Sequence, residues 1–387
     1  MTGAHAGNAL GSQRALFEIP DDVTYLNCAS MSPQLRAVTA AGIDAVRAKA
    51  SPWTLRSDDW FEHAEPLRAL FGRVIGADAE SVALVPSVSY GLAVAAANVP
   101  VRADQSIVVL DREFPSGTYT WRELARRTGA RLVTVKPEAG ASWTDALLAA
   151  LDDRVAVVAA PVCHWTDGSL IDLERLAPAV RATGAALVVD ASQAAGAHPI
   201  DVERIKPDFL CAVGYKWLLG PYSLGYLYAA PKWHEHGVAI EQSWMTRAGA
   251  EDFTSLVDYV DEMRPGARRF DMGEFSQFTL LPMSVAALTQ VLDWGVPRIA
   301  ATIGALTSRI AAEAKVLGCG VPADAERVAH IVGVRLPRGL PSGFTERLAE
   351  ARVFVSVRGD SLRVAPHLYN DERDVERFIA VLRRALD

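Results

Sequence analysis

The sequence predicts an α/β protein with a mostly parallel sheet flanked by helices, followed by a smaller C-terminal α+β domain. From about residue 20 to residue 230, short apolar runs alternate with amphipathic helical segments, which is typical of this class. Several runs are apolar on both faces, as buried parallel strands are. After residue 280 the pattern changes to longer helical stretches with a few short strand-like runs.

The strands are predicted from runs rich in β-branched and aliphatic residues. In chain order these runs are SVALVP at 81–86, SIVVLD at 106–111, RLVTV at 131–135, VAVVAAPV at 155–162, ALVVD at 186–190, DFLCAV at 208–213 and LGYLY at 224–228. Segments with helical periodicity, such as TYTWRELARRTG and LERLAPAVRATG, lie between them. This order indicates strand–helix–strand units that build one sheet.

The domain boundaries follow from the change in pattern. Residues 1–20 carry little periodicity and are predicted to form an N-terminal arm. Residues 21–282 are predicted to form the large domain, and residues 283–387 the small α+β domain with its linking helix. The small domain ends in the amphipathic helix DERDVERFIAVLRRALD.

The composition excludes several classes of protein. Half of the 387 residues are apolar and 22% are charged, which is ample for a buried core. The net charge of −7, spread without long blocks, is unlike that of a nucleic-acid-binding or polybasic membrane-binding protein. No apolar stretch approaches the roughly 18 residues of a membrane span. Four cysteines without metal-ligand spacing and an N-terminus without a signal-peptide pattern predict a cytoplasmic protein with reduced thiols and no metal site.

Polar residues end several of the apolar runs, and the carboxyl ends of parallel strands are where ligands bind. Asp190 directly ends ALVV, where a carboxylate needs a partner. Lys216 follows DFLCAV between two aromatic residues. Taken alone, Asp190 is equally compatible with a metal ligand, a helix cap or an ion pair, and Lys216 with a solvated loop lysine.

One cofactor would use both groups. Pyridoxal phosphate forms a Schiff base with a lysine and keeps its ring nitrogen protonated against a carboxylate. A lysine with the usual pKa near 10.4 is almost fully protonated at pH 7, so it must be desolvated or already bound to react. The phosphate of the cofactor would suit the segment PSVSYG, where Ser87 and Ser89 precede a helix. A plain helix cap is the alternative for these serines. Neither a GxxxxGK[ST] loop nor a GxGxxG motif is present.

The residues from 188 to 228, VVDASQAAGAHPIDVERIKPDFLCAVGYKWLLGPYSLGYLY, resemble the core of class V aminotransferases. These are fold-type-I pyridoxal phosphate enzymes that include cysteine desulfurases, kynureninases and isopenicillin N epimerases. The resemblance extends from YLNCASMSP at 25–33 to LRVAPHLYN at 362–370. It implies the fold-type-I architecture and a pyridoxal phosphate enzyme.

The resemblance also implies roles for individual residues. Lys216 would form the Schiff base and move the α-proton, and Asp190 would pair with the pyridinium nitrogen. Gln193 would hydrogen-bond the phenolic oxygen of the cofactor. Arg363 would bind the carboxylate of the substrate, for which a guanidinium fork is well suited; its alternative is a surface ion pair.

The remaining cofactor contacts are implied in the same way. The Val88 amide, Ser89 and Tyr215 would hold the phosphate. Phe114 would lie over the ring, with a core aromatic residue as the alternative. Thr166 and Asp167 would lie beside the ring.

The family resemblance further implies a homodimer in which the segment at 267–278 reaches into the neighbouring site. Glu274 stands where a Thr or Ser is usual, so only a backbone amide is expected to contact the phosphate there.

The reaction is left open by the residues. The substrate is expected to be an α-amino acid, and the activity that of an aminotransferase or a C–S lyase on a cysteine derivative. The alternatives are an epimerase of the isopenicillin N type and a catalytically silent member with a binding or regulatory role. The stretch VFVSVRGDSLR contains no cysteine, which argues against desulfuration through a persulfide.

Overall fold

The computed structural model describes residues 9–386. Its strands, in chain order, are β1 Thr24–Tyr25, β2 Val82–Val85, β3 Ser106–Leu110, β4 Arg131–Val135, β5 Val155–Pro161, β6 Ala186–Asp190, β7 Phe209–Val213, β8 Gly225–Ala229, β9 Val332–Val334, β10 Val353–Phe354, β11 Ser356–Arg358 and β12 Ser361–Val364. All seven strands predicted in the first part of the chain are present as β2 to β8.

The α-helices are α1 Arg36–Ala48, α2 Asp59–Glu62, α3 Glu65–Ile75, α4 Val88–Asn98, α5 Pro115–Thr128, α6 Trp143–Ala149, α7 Leu173–Ala182, α8 Val202–Ile205, α9 Leu280–Trp294, α10 Val296–Val316, α11 Phe344–Glu350 and α12 Glu372–Leu386. Short 3₁₀ helices include Gly266–Phe270 and Trp244–Thr246. The long helical stretch expected after residue 280 is two helices. Gly295, with a φ of 80°, ends α9, and α10 starts at the next residue.

The central sheet has the order β2–β8–β7–β6–β5–β3–β4. Strands β3 to β7 pair in parallel, and β8 runs antiparallel to both of its neighbours. The carboxyl ends of β2, β3, β5, β6 and β7 therefore meet at one edge of the sheet. The loop that enters β8 lies at the same edge because β8 runs the other way.

Both faces of this sheet are buried, as the apolar runs predict. In β3, Val108 and Leu110 pack into the core on one face, whereas Ile107 and Val109 pack into the core on the other. Helices α3, α7 and α9 contribute to the first core, and α4 and α5 to the second. This double covering fixes the sheet edge that carries the site.

The small C-terminal part has a core of its own. The antiparallel strands are ordered β11–β12–β9, and α10, α11 and α12 pack against them. The described part of the predicted arm is tied to this region, since Gln13 N–H donates to the Leu368 carbonyl at 2.7 Å and Leu10 N–H to Thr302 Oγ1 at 2.9 Å. Residues 1–8 of that arm lie outside the described residues. The predicted domain boundaries stay predictions.

Within residues 9–386, the helices are too short or too polar to cross a lipid bilayer. The four cysteines are buried free thiols.

Candidate active site

A cavity of about 330 Å³ opens at the carboxyl edge of the central sheet. Its walls come from the loops after β2, β3, β5, β6 and β7 and from the loop that enters β8. Seven of the predicted site residues line it, namely Val88, Ser89, Phe114, Asp190, Gln193, Tyr215 and Lys216. The structure thus brings together side chains that are up to 128 positions apart in the sequence.

Lys216 lies on the loop after β7 and is buried in the cavity wall, with 8% of its surface exposed. Its Nζ is 5.6 Å from the ring centre of Phe114 and 5.8 Å from that of Tyr215. Burial lowers the pKa of this amine to about 8, with Arg363 and Arg358 lowering it further and Asp190 opposing them. At pH 7 about one amine in ten is then neutral, against roughly one in three thousand at a pKa of 10.5. The cavity therefore supplies a nucleophilic lysine.

Asp190 is the last residue of β6 and faces the same cavity. Its Oδ1 accepts a hydrogen bond from the Ser192 backbone N–H at 2.8 Å. Across the described residues, no basic side chain forms an ion pair with this carboxylate, and no group of three potential metal ligands surrounds it. The ion-pair alternative is therefore wrong for residues 9–386. The carboxylate is available to a cationic group in the cavity.

The Gln193 side chain is held in place on two sides. Its Nε2 donates to the Ala29 carbonyl at 2.9 Å, and its Oε1 accepts from Trp217 Nε1 at 3.1 Å. One N–H of the amide remains for a ligand in the cavity. The side chain is therefore rigid, and Trp217, directly after the lysine, fixes its orientation.

The N-terminus of α4 closes another side of the cavity. Ser87 caps this helix, with its side chain accepting from the Tyr90 backbone N–H at 3.1 Å. The amides of Val88 and Ser89 lie in the first turn, where backbone N–H groups lack helical partners and attract anions. A Cβ on Gly91 would lie 2.7 Å from Cys211 Sγ, so glycine lets α4 pack tightly against the sheet. This end of the cavity suits a phosphate.

Two aromatic rings form the opposite wall. Phe114 is 41% exposed, and its ring meets that of Trp165 edge-on at 5.5 Å. The indole N–H of Trp165 donates to the Arg112 carbonyl at 2.8 Å, which fixes the ring. Phe114 is not a core residue, so that alternative is wrong. Its ring is free to pack on a planar ligand.

Arg363 lies on β12 beside this aromatic wall and is almost fully buried, at 2% exposure. Its Nη1 donates to the Trp165 carbonyl at 2.9 Å, whereas its buried Nε has no hydrogen-bond partner. Burial, followed by the charge of Arg358, lowers its pKa to about 10. No carboxylate of residues 9–386 pairs with it, so the surface ion-pair alternative is wrong. A buried guanidinium in this state needs an anionic ligand.

Thr166 and Asp167 are not brought into the cavity wall. Thr166 Oγ1 lies 2.7 Å from His164 Nδ1, and Asp167 Oδ1 accepts from the Ser169 N–H and hydroxyl at 3.0 and 2.8 Å. Asp167 packs against Gly333 of β9, where an added Cβ would come within 2.8 Å of its Cα. From this loop, Cys163 and Trp165 line the cavity instead. Asp167 holds the loop against β9, and Thr166 bonds within the loop.

Glu113 is a cavity residue that the sequence analysis did not assign to the site. Its Oε1 accepts from the Phe114 N–H at 2.6 Å, and its buried Oε2 has no partner. Burial raises the pKa of this carboxyl to about 8, and the nearby Asp190 raises it further, against the hydrogen bond from Phe114. Its position three residues after the end of β3 was a signal, but a sequence does not show that one oxygen is buried.

The segment at 267–278 packs against the edge strand β2. Asp271 forms a two-pronged ion pair with buried Arg68, at 2.8 and 2.7 Å, and accepts from the Leu84 N–H at 2.8 Å. Glu274 is exposed, and the neighbouring Gly273 N–H is bonded to Glu241. The segment is thus firmly attached to the sheet near the N-terminus of α4, where Tyr90 OH donates to the Asp271 carbonyl at 3.4 Å.

The cavity fits a planar aromatic aldehyde that carries a phosphate. It combines a desolvated amine, an unpaired carboxylate, an exposed aromatic ring and a helix N-terminus with available N–H groups. The unpaired guanidinium of Arg363 adds a place for the carboxylate of an amino acid. These are the groups that the predicted cofactor, pyridoxal phosphate, requires.

Known proteins resemble the chain over most of its length. A protein described as "Uncharacterized aminotransferase YcbU" from Bacillus subtilis is 26% identical over 95% of both chains. Isopenicillin N epimerase from Streptomyces clavuligerus is 27% identical over 81% of this chain and 82% of its own. Among solved structures, the apo cysteine desulfurase of Thermococcus onnurineus superposes with a TM-score of 0.84 at 19% identity, covering 98% of this chain and 99% of its own.

The model of the family Aminotransferase class-V matches residues 25–378. That range includes every predicted site residue, from Val88 to Arg363. The match confirms the predicted fold class, the prediction of an enzyme and the prediction of pyridoxal phosphate as its cofactor. The chain belongs to the class V aminotransferase family.

Proposed function

We propose that this protein transforms an α-amino acid with pyridoxal phosphate attached to Lys216, as an aminotransferase or a C–S lyase. The observation that carries the proposal is a desolvated lysine in a cavity beside a buried arginine that has no carboxylate partner. The first group suits covalent attachment of the cofactor, and the second suits the carboxylate of an amino acid.

The chain's own residues would hold the cofactor from all sides. The amides of Val88 and Ser89, with the Ser89 and Tyr215 hydroxyls, would bind the phosphate. Asp190 would pair with the ring nitrogen, and Phe114 would pack on the ring. When bound, pyridoxal phosphate withdraws electrons from the bonds of the substrate's α-carbon.

The same residues would orient the substrate and move its proton. Arg363 binds the α-carboxylate with two parallel hydrogen bonds and so fixes the position of the α-carbon. The Lys216 Nζ, which is neutral in an appreciable fraction at pH 7, accepts the α-proton and returns it at another position. The aromatic wall of Phe114 and Trp165 would lie beside this proton transfer.

Three alternatives are less well supported. Cys163 lines the cavity but is fully buried, and burial raises its thiol pKa, so it is a poor nucleophile for sulfur transfer. An epimerase needs a second acid or base besides the lysine; in the described wall Glu113 is a carboxyl that could serve, but its Oε1 is already bonded to the Phe114 N–H. A catalytically silent member would have no need for an unpaired Asp190 next to a desolvated Lys216.

We also propose a cytoplasmic homodimer whose partner completes the site, as the family resemblance implies. Large apolar side chains are exposed, among them Tyr222 in the cavity wall at 61%, and Val257 and Tyr259 elsewhere at 79% and 98%. Exposed apolar side chains of this size are typical of an interface. Sedimentation of the purified protein tests this; a monomer at micromolar concentration would rule it out.

The experiment on the function begins with covalent trapping. The protein is loaded with pyridoxal phosphate, reduced with borohydride and digested, and the modified peptide is identified by mass spectrometry. Modification is expected at Lys216, and Lys216→Ala is expected to abolish both it and turnover. Exposed Lys49 provides the control, because Lys49→Ala should behave as wild type.

Product analysis then separates the reactions. A 2-oxo acid that forms only with an added amino acceptor indicates transamination, whereas pyruvate and ammonia formed without an acceptor indicate C–S cleavage. Inversion of the substrate would support the epimerase instead. Normal turnover by Lys216→Ala would refute the proposed function.

A further inference from the structure

The hairpin of β11 and β12 places two arginines on one face. Ser356 pairs with Arg363 and Arg358 with Ser361, in antiparallel register. Because side chains alternate between the faces of a strand, Arg358 and Arg363 lie on the same face as diagonal neighbours. The residues between them, Val357 and Leu362, pack on the other face into the small-domain core.

The positive charge of Arg358 has no carboxylate partner in the part of the chain that the structure describes. Its Nη1 donates to the Val357 carbonyl of its own strand at 2.8 Å. No carboxylate of the described chain forms an ion pair with it, although Asp360 lies two residues away and pairs with Arg335 instead. The guanidinium is partly desolvated, which lowers its pKa. Its positive charge is therefore not neutralised by the protein between residues 9 and 386.

Arg358 lies at the edge of the active site. Its Cζ is 5.6 Å from the ring centre of Trp165, which lines the cavity and whose carbonyl holds Arg363. The charge of Arg358 is felt at both Lys216 and Arg363, where it lowers the pKa of each group. Two guanidinium groups without a carboxylate partner in residues 9–386 thus lie behind Trp165, next to the cavity, although neither is among the residues that line it.

A substrate with a single carboxylate would neutralise only one of the two charges of Arg358 and Arg363. The phosphate of the cofactor would bind at the N-terminus of α4, where Val88 and Ser89 line the cavity. The α-carboxylate of the substrate takes Arg363 under the proposed function. Arg358 is then left as a second anion-binding group about 7–8 Å from Arg363, measured between backbones. A molecule with two carboxylates can reach both.

We propose that Arg358 binds an anionic group on the side chain of the substrate, so that the enzyme selects α-amino acids with an acidic side chain. The inference rests on the proposed function and names the substrate class for the same site. Arginine suits this task because its planar fork binds a carboxylate with two hydrogen bonds, and the Trp165 ring orients that fork.

Matched amino acids test the inference in the enzyme loaded with pyridoxal phosphate. Dissociation constants are measured from the change in cofactor absorbance for L-glutamate against L-glutamine and for L-aspartate against L-asparagine. These pairs differ in charge and hardly in size. At least one acid is expected to bind roughly tenfold or more tightly than its amide, since hydrogen bonds to a charged group contribute about 1.5–3 kcal/mol.

Substitution of the arginine should remove that preference. Arg358→Gln is expected to weaken binding of the acid about tenfold or more and to leave the amide within about twofold, and Arg358→Lys to restore part of the loss. Exposed Arg338, whose side chain bonds the Leu386 carbonyl, gives the control Arg338→Gln, which should change neither. Circular dichroism and the affinity for pyridoxal phosphate report whether each variant is folded.

The outcomes separate this inference from the function on which it rests. Equal binding of acids and amides by the wild type, or an equal loss for both in Arg358→Gln, would overturn the acidic-substrate assignment and leave the proposed function standing. Failure to trap the cofactor at Lys216 would overturn the proposed function itself. If the cofactor is trapped but no acidic amino acid binds, the acidic-substrate assignment is wrong.

Discussion

Replacement of Glu113 by glutamine should change how the stability of the cofactor-free protein depends on pH. The folded protein keeps this carboxyl protonated to about pH 8, because burial and then Asp190 raise its pKa, whereas the ordinary value is 4.5. Between these two pH values the folded state binds a proton that the unfolded state has released. The free energy of unfolding therefore falls as the pH rises through this window, and the loss is complete above pH 8.

The size of the effect follows from the two pKa values. At 1.36 kcal/mol per pKa unit, the whole difference between them corresponds to about 5 kcal/mol. Of this, about 3 kcal/mol falls between pH 5.5 and pH 9. Glutamine keeps the acceptor for the Phe114 N–H and cannot ionise. The wild type should therefore lose about 3 kcal/mol relative to Glu113→Gln across that range.

Urea unfolding at a series of pH values measures this difference, with circular dichroism as the signal. Other titrating groups are shared by the two proteins and cancel, including Lys216, whose lowered pKa acts mainly above pH 8. Glu138 is exposed and provides the control, since Glu138→Gln should follow the wild type. A constant difference between wild type and Glu113→Gln from pH 5.5 to 9 would show that Glu113 is ionised throughout and that the reasoning is wrong.

Two further substitutions test the substrate arginine and the buried ion pair. Arg363→Lys should raise the half-saturation concentration of the amino acid about tenfold or more with a smaller change in kcat, because the bidentate contact is lost; steady-state kinetics measures both, and unchanged saturation would contradict the carboxylate role. Asp271→Asn should cost about 3–5 kcal/mol in urea unfolding, because buried Arg68 loses its fully buried carboxylate partner and keeps only the partly exposed Glu65. Glu123→Gln, which breaks the exposed ion pair with Arg126, should lower stability far less, and equal losses for the two variants would refute this reasoning.

The sheet and the central part of the site could be predicted from the sequence for physical reasons. A strand buried on both faces must be apolar throughout, so runs such as ALVVD stand out. Asp190 and Lys216 follow directly from these runs, because a strand end is a fixed point in the fold. The family resemblance then assigned their roles.

Other features depend on contacts between distant parts of the chain. Thr166 and Asp167 were expected beside the cofactor, but their loop turns onto the small domain at Gly168, which has a φ of 81°. A side chain at position 168 would collide with Ile331. The buried oxygen of Glu113 likewise depends on tertiary packing. The shared face of Arg358 and Arg363 depends on strand register, which a sequence of this kind does not specify.

Trp165 contacts both the arginine that we propose for the α-carboxylate of the substrate and the arginine that we propose for its side chain. Its carbonyl fixes Arg363, and its ring touches both Phe114 on the cofactor side and Arg358 at the rim. Under the proposed function, a mutation at Trp165 would therefore disturb binding of the α-carboxylate together with selection of the side chain. Arg358 contacts only the ring of Trp165 in this arrangement and makes no hydrogen bond to Arg363. New substrate ranges in related proteins should accordingly arise through changes at the rim position while the tryptophan persists.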